Sequence, residues 1–203
     1  GKVTNWADKS GLSHHATAAT APDEPSNTLN GRNVIEFNND RFTGPTGDYK
    51  TVLAVVRLDV DSLWTTIFSA DGAVLTFLRG SMTNHWNDAF GYTHSSDIYT
   101  NGQQTQAHPM SEFFILHTYD SNIGDSTFVL GKQGHHFTGG YAEFLAFDKQ
   151  LSTTERVNVE NYLALKWGLD GTYLEPEDSG LDEYIPADGL TISTTIDQST
   201  KNI

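Results

Sequence analysis

The 203-residue chain carries twelve Lys and Arg against twenty-six Asp and Glu, a formal charge of -14, which disfavours binding to nucleic-acid phosphates or anionic membranes. It holds no cysteine, which excludes disulfide crosslinks and thiol chemistry. No run of about eighteen apolar residues is present to insert into a membrane, and the length suits one all-β domain with a sizeable core and an appended tail.

Residues 5–26 are polar, small and punctuated by Gly and Pro, which predicts a short first strand followed by irregular chain. Residues 33–37 alternate, and Asn38-Asn39-Asp40 behind them reads as a turn whose short side chains bond their own backbone. Residues 49–58 form a strong strand in which Val52, Ala54 and Val56 oppose Leu53, Val55 and Arg57, so it belongs in the centre of a sheet. Strands at 65–70 and 73–78 are joined by Asp71-Gly72, a dipeptide suited to the positive φ angles of a tight hairpin. Further strands are expected at 89–92, 98–100, 113–119 and 127–130, after which Gly131 turns the chain toward Phe137 and Tyr141. Many short strands at close spacing, with a single helix, predict a sandwich of two antiparallel sheets.

In the stretch 139–169, Tyr141, Glu143, Leu145 and Phe147 alternate with Ala142, Phe144, Ala146 and Asp148, a strand with much of both faces covered. Ser152 followed three residues later by Glu155 is a capping box, so a helix starts there. Val159, Leu163 and Trp167 recur at i, i+4 and i+8 with Tyr162 alongside, and Gly168 supplies a left-handed stop. One strand hands the chain to one short amphipathic helix, which lies on the domain by its Val/Leu/Trp stripe.

That strand, the phrase AFDKQLSTTER and the ending VENYLALKWGL resemble the close of bacterial and phage laminin-G-like domains, members of the concanavalin A-like jelly-roll superfamily. VTNWADKSGLSHHATA, with Trp6, Asp8, Ser10, Gly11, His15 and Ala16, resembles their opening. The resemblance implies a jelly roll over residues 1–169, core places for Trp6 and Trp167, and a structural hydrogen-bonding role for His15. One fold hosts many sites, so function stays open.

After Leu169 the composition shifts. Residues 170–189 carry Glu175, Glu177, Asp178, Asp182, Glu183 and Asp188 with no Lys or Arg, which reads as an acidic linker. Laminin-G-like domains carry another strand before their Trp-Asp-Ser-Gly opening; here IPADGLTISTT, in the tail, resembles that segment. Tail and head joined would read STKNI, then GKVTNWADKSG. Several arrangements are open: the tail completes its own sheet as a circular permutant, marks one register of a tandem array, enters the sheet of the next molecule to build a filament, or lies on the surface. Within 190–203, Leu190, Ile192 and Ile196 share one face of an extended strand, with Thr191, Ser193 and Thr195 opposite.

Retaining glucanases of the same superfamily hold two glutamates about 5 Å apart in an E-x-D-x-x-E pattern. Glu143 has only Phe144, Leu145 and Ala146 after it, and no G-x-S-x-G, phosphate-binding loop or H-E-x-x-H occurs. Among eight histidines, the adjacent pairs His14-His15 and His135-His136 point to opposite faces of an extended chain, and His85, His94, His108 and His117 lack metal spacing. Calcium suits the abundant hard oxygen ligands, with Asp120, Asn122 and Asp125 as the loop set and Asp40 and Asp71 as further candidates; ordinary turn carboxylates are the alternative. Sugar binding needs an exposed ring beside amides and carboxylates. Asn84, Trp86, Asp88 and Tyr92, read as a loop cluster, fit best and Trp64 is second, the alternative being rings that close the sandwich edge.

These readings predict an all-β, two-sheet jelly roll with one short C-terminal helix and an extended tail. The expected function is a non-enzymatic structural or adhesive subunit, extracellular, at a cell surface or on a virion, whose partners are copies of itself, head to tail or as tandem repeats. The alternative is a carbohydrate-binding module of a secreted or phage tail protein, with glycans as partners and calcium as its one prospective cofactor. A degenerate glycan hydrolase is the third reading.

Overall fold

The apolar run 51–58 has no consistently polar face because both of its faces are covered. The computed structural model describes residues 1–23, 27–60, 65–71, 76–79, 86–88, 98–105, 107–119, 125–131 and 137–169. In chain order the strands are β1 (Asn5–Trp6), β2 (Ala16–Thr20), β3 (Asn27–Leu29), β4 (Arg32–Asn38), β5 (Arg41–Asp48), β6 (Thr51–Leu58) and β7 (Thr65–Asp71). They continue with β8 (Thr76–Arg79), β9 (Trp86–Asp88), β10 (Ile98–Thr100), β11 (Gln103–Gln104), β12 (Phe114–Tyr119), β13 (Asp125–Gly131) and β14 (Thr138–Phe147), and the helix α1 spans Thr153–Trp167.

Among the described residues the strands form two seven-stranded antiparallel sheets, ordered β1-β2-β5-β13-β7-β8-β9 and β11-β10-β12-β6-β14-β4-β3. β4, β5, β6 and β7 pass alternately between the sheets and leave a gap in each. β14 fills the gap between β4 and β6, and β13 the gap between β5 and β7. This interleaving is that of a jelly roll.

Between the sheets lies an aromatic core. Val52, Ala54, Val56 and Leu58 of β6 point into it beside Trp6, Phe37, Phe42, Phe128 and Phe144. Trp6 meets Phe42 edge-on with ring centroids 5.9 Å apart, the arrangement ring quadrupoles favour. Tyr141 spans the sandwich, its hydroxyl donating to the Ile67 carbonyl of the opposite sheet. On the outer face of the second sheet, Leu53, Val55, Ile115, Leu145 and Phe147 pack under Val159, Leu163 and Trp167 of α1. Each fully buried side chain of this kind contributes roughly 1.5–3 kcal/mol.

The helix begins and ends where its residues direct. Ser152 Oγ accepts from the Glu155 N–H while Glu155 Oε2 accepts from the Ser152 N–H at 2.8 Å, and Gly168 closes the far end at φ 62°. Tyr162 departs from expectation: it stands off the buried stripe, 38% exposed.

Four further corrections follow from local geometry. A bulge between Tyr141 and Glu143 inserts one residue into β14, so Tyr141 joins Phe144 and Ala146 in the inner core while Leu145 and Phe147 face the helix. Residues 5–26, expected to be irregular beyond a first strand, contain β2, which pairs with β5. β5 itself hides in the sequence RFTGPTGD; its Gly44 is required because a Cβ there would lie 2.9 Å from Phe128 Cδ1. The β7–β8 hairpin is present, but Ser69 faces Thr76, so its connection is longer than a two-residue Asp71-Gly72 turn. The strand expected at 89–92 falls outside the described residues, and β9 lies just before it.

Candidate functional site

Trp86 and Asp88, read above as loop residues, instead belong to β9, opposite Arg79 and Phe77 of β8. Polar composition suggested a loop, but the backbone pairs with β8 through residues 86–88. Asn84, Tyr92 and Trp64 lie outside the described residues, as do Asp120, Asn122 and the tail residues Leu190, Ile192 and Ile196. Asp125 is not a loop residue: it opens β13, directly opposite Asp48, whose carboxylate meets Lys50 Nζ at 2.7 Å. Asp40 accepts from the Asn38 N–H at 2.8 Å and closes the β4–β5 turn. Among the described residues, no three His, Asp or Glu side chains converge as a metal site.

The buried carboxylates have structural partners. Asp8 accepts from the Ser10 N–H (2.8 Å), the Ser10 hydroxyl (2.7 Å) and the His14 N–H (2.9 Å). Burial raises its pKa, but these bonds outweigh burial and hold it below the ordinary carboxylate value. His15 Nδ1 accepts from the Asp8 N–H at 3.0 Å, so the histidine ties the loop to itself.

Glu143, fully buried at the β14 bulge, accepts from Lys166 Nζ at 2.8 Å and from the Trp167 indole N–H at 2.5 Å. Glu160 is 2% exposed and accepts from Arg156 at 2.7 Å; its Oε1 lies 3.6 Å from His117 Nδ1. Burial raises the Glu160 pKa, against the pull of Arg156. His117 stacks on Tyr99 with centroids 5.1 Å apart, and Arg156 caps that ring at 4.2 Å. Burial first, then the Arg156 charge, push the His117 pKa down to about 3. Both glutamates are closed beneath α1. Their partners were not foreseen, though the spacing of Arg156 and Glu160 is the i,i+4 pattern of a helical ion pair.

The sheet ends are the remaining candidate surface. At one end, residues 2–6 run antiparallel to β2: Val3 N–H donates to the Pro22 carbonyl at 2.9 Å, Ala18 N–H donates to the Thr4 carbonyl at 3.0 Å, and Trp6 faces Ala16. No strand flanks their other side among the described residues. Val3 packs against the aromatic core and Trp6 is buried in it, while Thr4 and Asn5 are exposed.

Among the described residues, no helix is long and apolar enough to cross a membrane. No family model, curated protein or solved structure matches this chain.

Proposed function

We propose that the chain is a non-enzymatic structural and adhesive subunit, extracellular or on a virion, that assembles with copies of itself by donating its C-terminal strand. Residues 1–169 are read as a laminin-G-like jelly roll, 170–189 as an acidic linker and 190–203 as the donated strand. The observation that carries this reading is the sheet end at residues 3–6, which no strand flanks among the described residues and whose Val3 and Trp6 are directed into the core, in a chain whose tail sequence would put Leu190, Ile192 and Ile196 on one face of an extended strand. Edges of this kind accept added strands. The interleaved sheets and the Asp8 loop held by Ser10 and His15 support the laminin-G-like reading. Support for a non-enzymatic role comes from Glu143 and Glu160, each bonded to a helix side chain and shut from solvent.

The test is the solution mass by light scattering across a dilution series, for the full chain and for one truncated after Leu181. Species far above the 22.4 kDa chain mass that revert to monomers on truncation are the expected result. Monomers in both cases, with only thermal stability lowered, overturn self-assembly and bring the carbohydrate-binding reading forward.

A further inference from the structure

We propose that the edge formed by residues 3–6 is the acceptor lane into which residues 190–203 of a second copy insert as an added strand. This rests on the assembly reading and gives that assembly its address.

Four sheet ends compete for the role. β11 consists of Gln103 and Gln104, both exposed, and offers a donated strand no apolar surface. β3 exposes Asn27 and Thr28 and directs only Leu29 toward the helix-side cluster. β9 closes the far end of the same sheet as residues 3–6 and is the rival edge that the crosslinking must exclude. Among the ends whose side chains are described, that at residues 3–6 borders the inter-sheet aromatic core, through Val3 and Trp6. Trp6 also carries a buried indole N–H with no acceptor among the described residues, a group that calls for a partner.

The donor matches this edge. An added edge strand needs apolar side chains at alternate positions toward the core and polar ones toward water; Leu190, Ile192 and Ile196 supply the first, Thr191, Ser193 and Thr195 the second. The linker allows the reach. Residues 170–189 span up to about 65–70 Å when extended, and their carboxylates, unrelieved by any Lys or Arg, repel one another and stiffen the segment. That reach covers a neighbour as well as the chain's own edge, and under the assembly reading the neighbour is the recipient. The resulting contact is heterologous and repeats without closing.

Because the chain has no cysteine, disulfide trapping is free of background. Asn5→Cys protein is mixed with Thr191→Cys, Ser193→Cys or Thr195→Cys protein and oxidised gently, with Gln104→Cys as the competing edge. All of these positions avoid the expected buried faces, and a disulfide requires Cβ atoms about 3.5–4.5 Å apart. Mixed dimers through position 5, in one register and absent with Gln104→Cys, are expected. Crosslinks that form only within single chains carrying Asn5→Cys and Ser193→Cys overturn the second copy as occupant. Crosslinking through position 104 but not 5, or none beside large species in light scattering, overturns the lane and leaves assembly standing. Monomers without crosslinks overturn both.

Discussion

The indole N–H of Trp167, the last residue of α1, donates to Glu143 Oε2 at 2.5 Å, while Lys166 Nζ holds Oε1 at 2.8 Å. The bulge that turns Glu143 outward in β14 thereby anchors the end of the helix. Removing one partner of a buried charge pair leaves the other desolvated and unpaired. Glu143→Ala is expected to cost about 3–5 kcal/mol, read from urea unfolding. Glu143→Gln keeps an acceptor for the indole and should cost less, about 1–2 kcal/mol. Equal losses for the two variants would show that the charge, removed in both, and not the packing or the acceptor that Gln keeps, fixes the helix end.

Tyr141 ties the sheets together through its hydroxyl bond to the Ile67 carbonyl. Tyr141→Phe keeps the ring among Trp6, Phe37 and Phe137 but leaves that buried carbonyl without its donor. The expected cost is about 1–3 kcal/mol, with an unchanged denaturant slope because the surface buried is the same. A neutral result would mean that Ile67 gains another donor when the hydroxyl is gone.

What the sequence made legible was local. Ser152, Glu155 and Gly168 set the helix boundaries because a cap is decided within one turn, and β6 stood out because both of its faces are covered. β2 and β5 did not stand out: ATAAT and RFTGPTGD become strands only because tertiary neighbours, such as Phe128 over Gly44, complete them. Asn30-Gly31 and Asn101-Gly102, with positive φ at all four residues, are hairpin signals by which β3 and β11 were open to prediction. Period-two reasoning failed in β14 because alternation does not record an inserted residue. The buried partners of Glu143, Lys166 and Trp167, come from α1 crossing the sheet, which no spacing within β14 encodes.

The stack beneath α1 makes stability depend on pH. The His117 pKa falls from 6.5 to about 3 in the fold, so below 6.5 the unfolded chain takes up a proton that folded His117 refuses. Its contribution is therefore complete above 6.5 and lost as pH falls toward about 3. Glu160 has the opposite sign: with its pKa raised, the fold retains a proton that the unfolded chain releases, and that contribution is lost as pH rises past 4.5. His117→Phe keeps a ring against Tyr99 and should flatten the fall in Tm from about pH 7 to about pH 4, whereas Glu160→Gln should steepen it. Parallel curves for wild type and His117→Phe would remove His117 from the account.

The β3–β4 hairpin caps α1 from outside. Asn30 Nδ2 donates to the Lys166 carbonyl at 3.1 Å and Arg32 Nε to the same oxygen at 3.3 Å. Asn30→Asp replaces a donor by a negative charge at the negative end of the helix dipole, at an expected cost of about 0.5–1 kcal/mol. Gly168→Ala forces a side chain into the left-handed region, about 1–2 kcal/mol, and its Cβ would lie 3.1 Å from Asn30 Cγ. Part of that second cost is the contact itself, so Asn30→Ala combined with Gly168→Ala should be less destabilising than the sum, by about 0.5 kcal/mol or more. Strict additivity in a double-mutant cycle would mean that Gly168 is needed only for its backbone angle. Coupling would mean that a hairpin more than 130 residues earlier in the chain helps to decide where the helix stops.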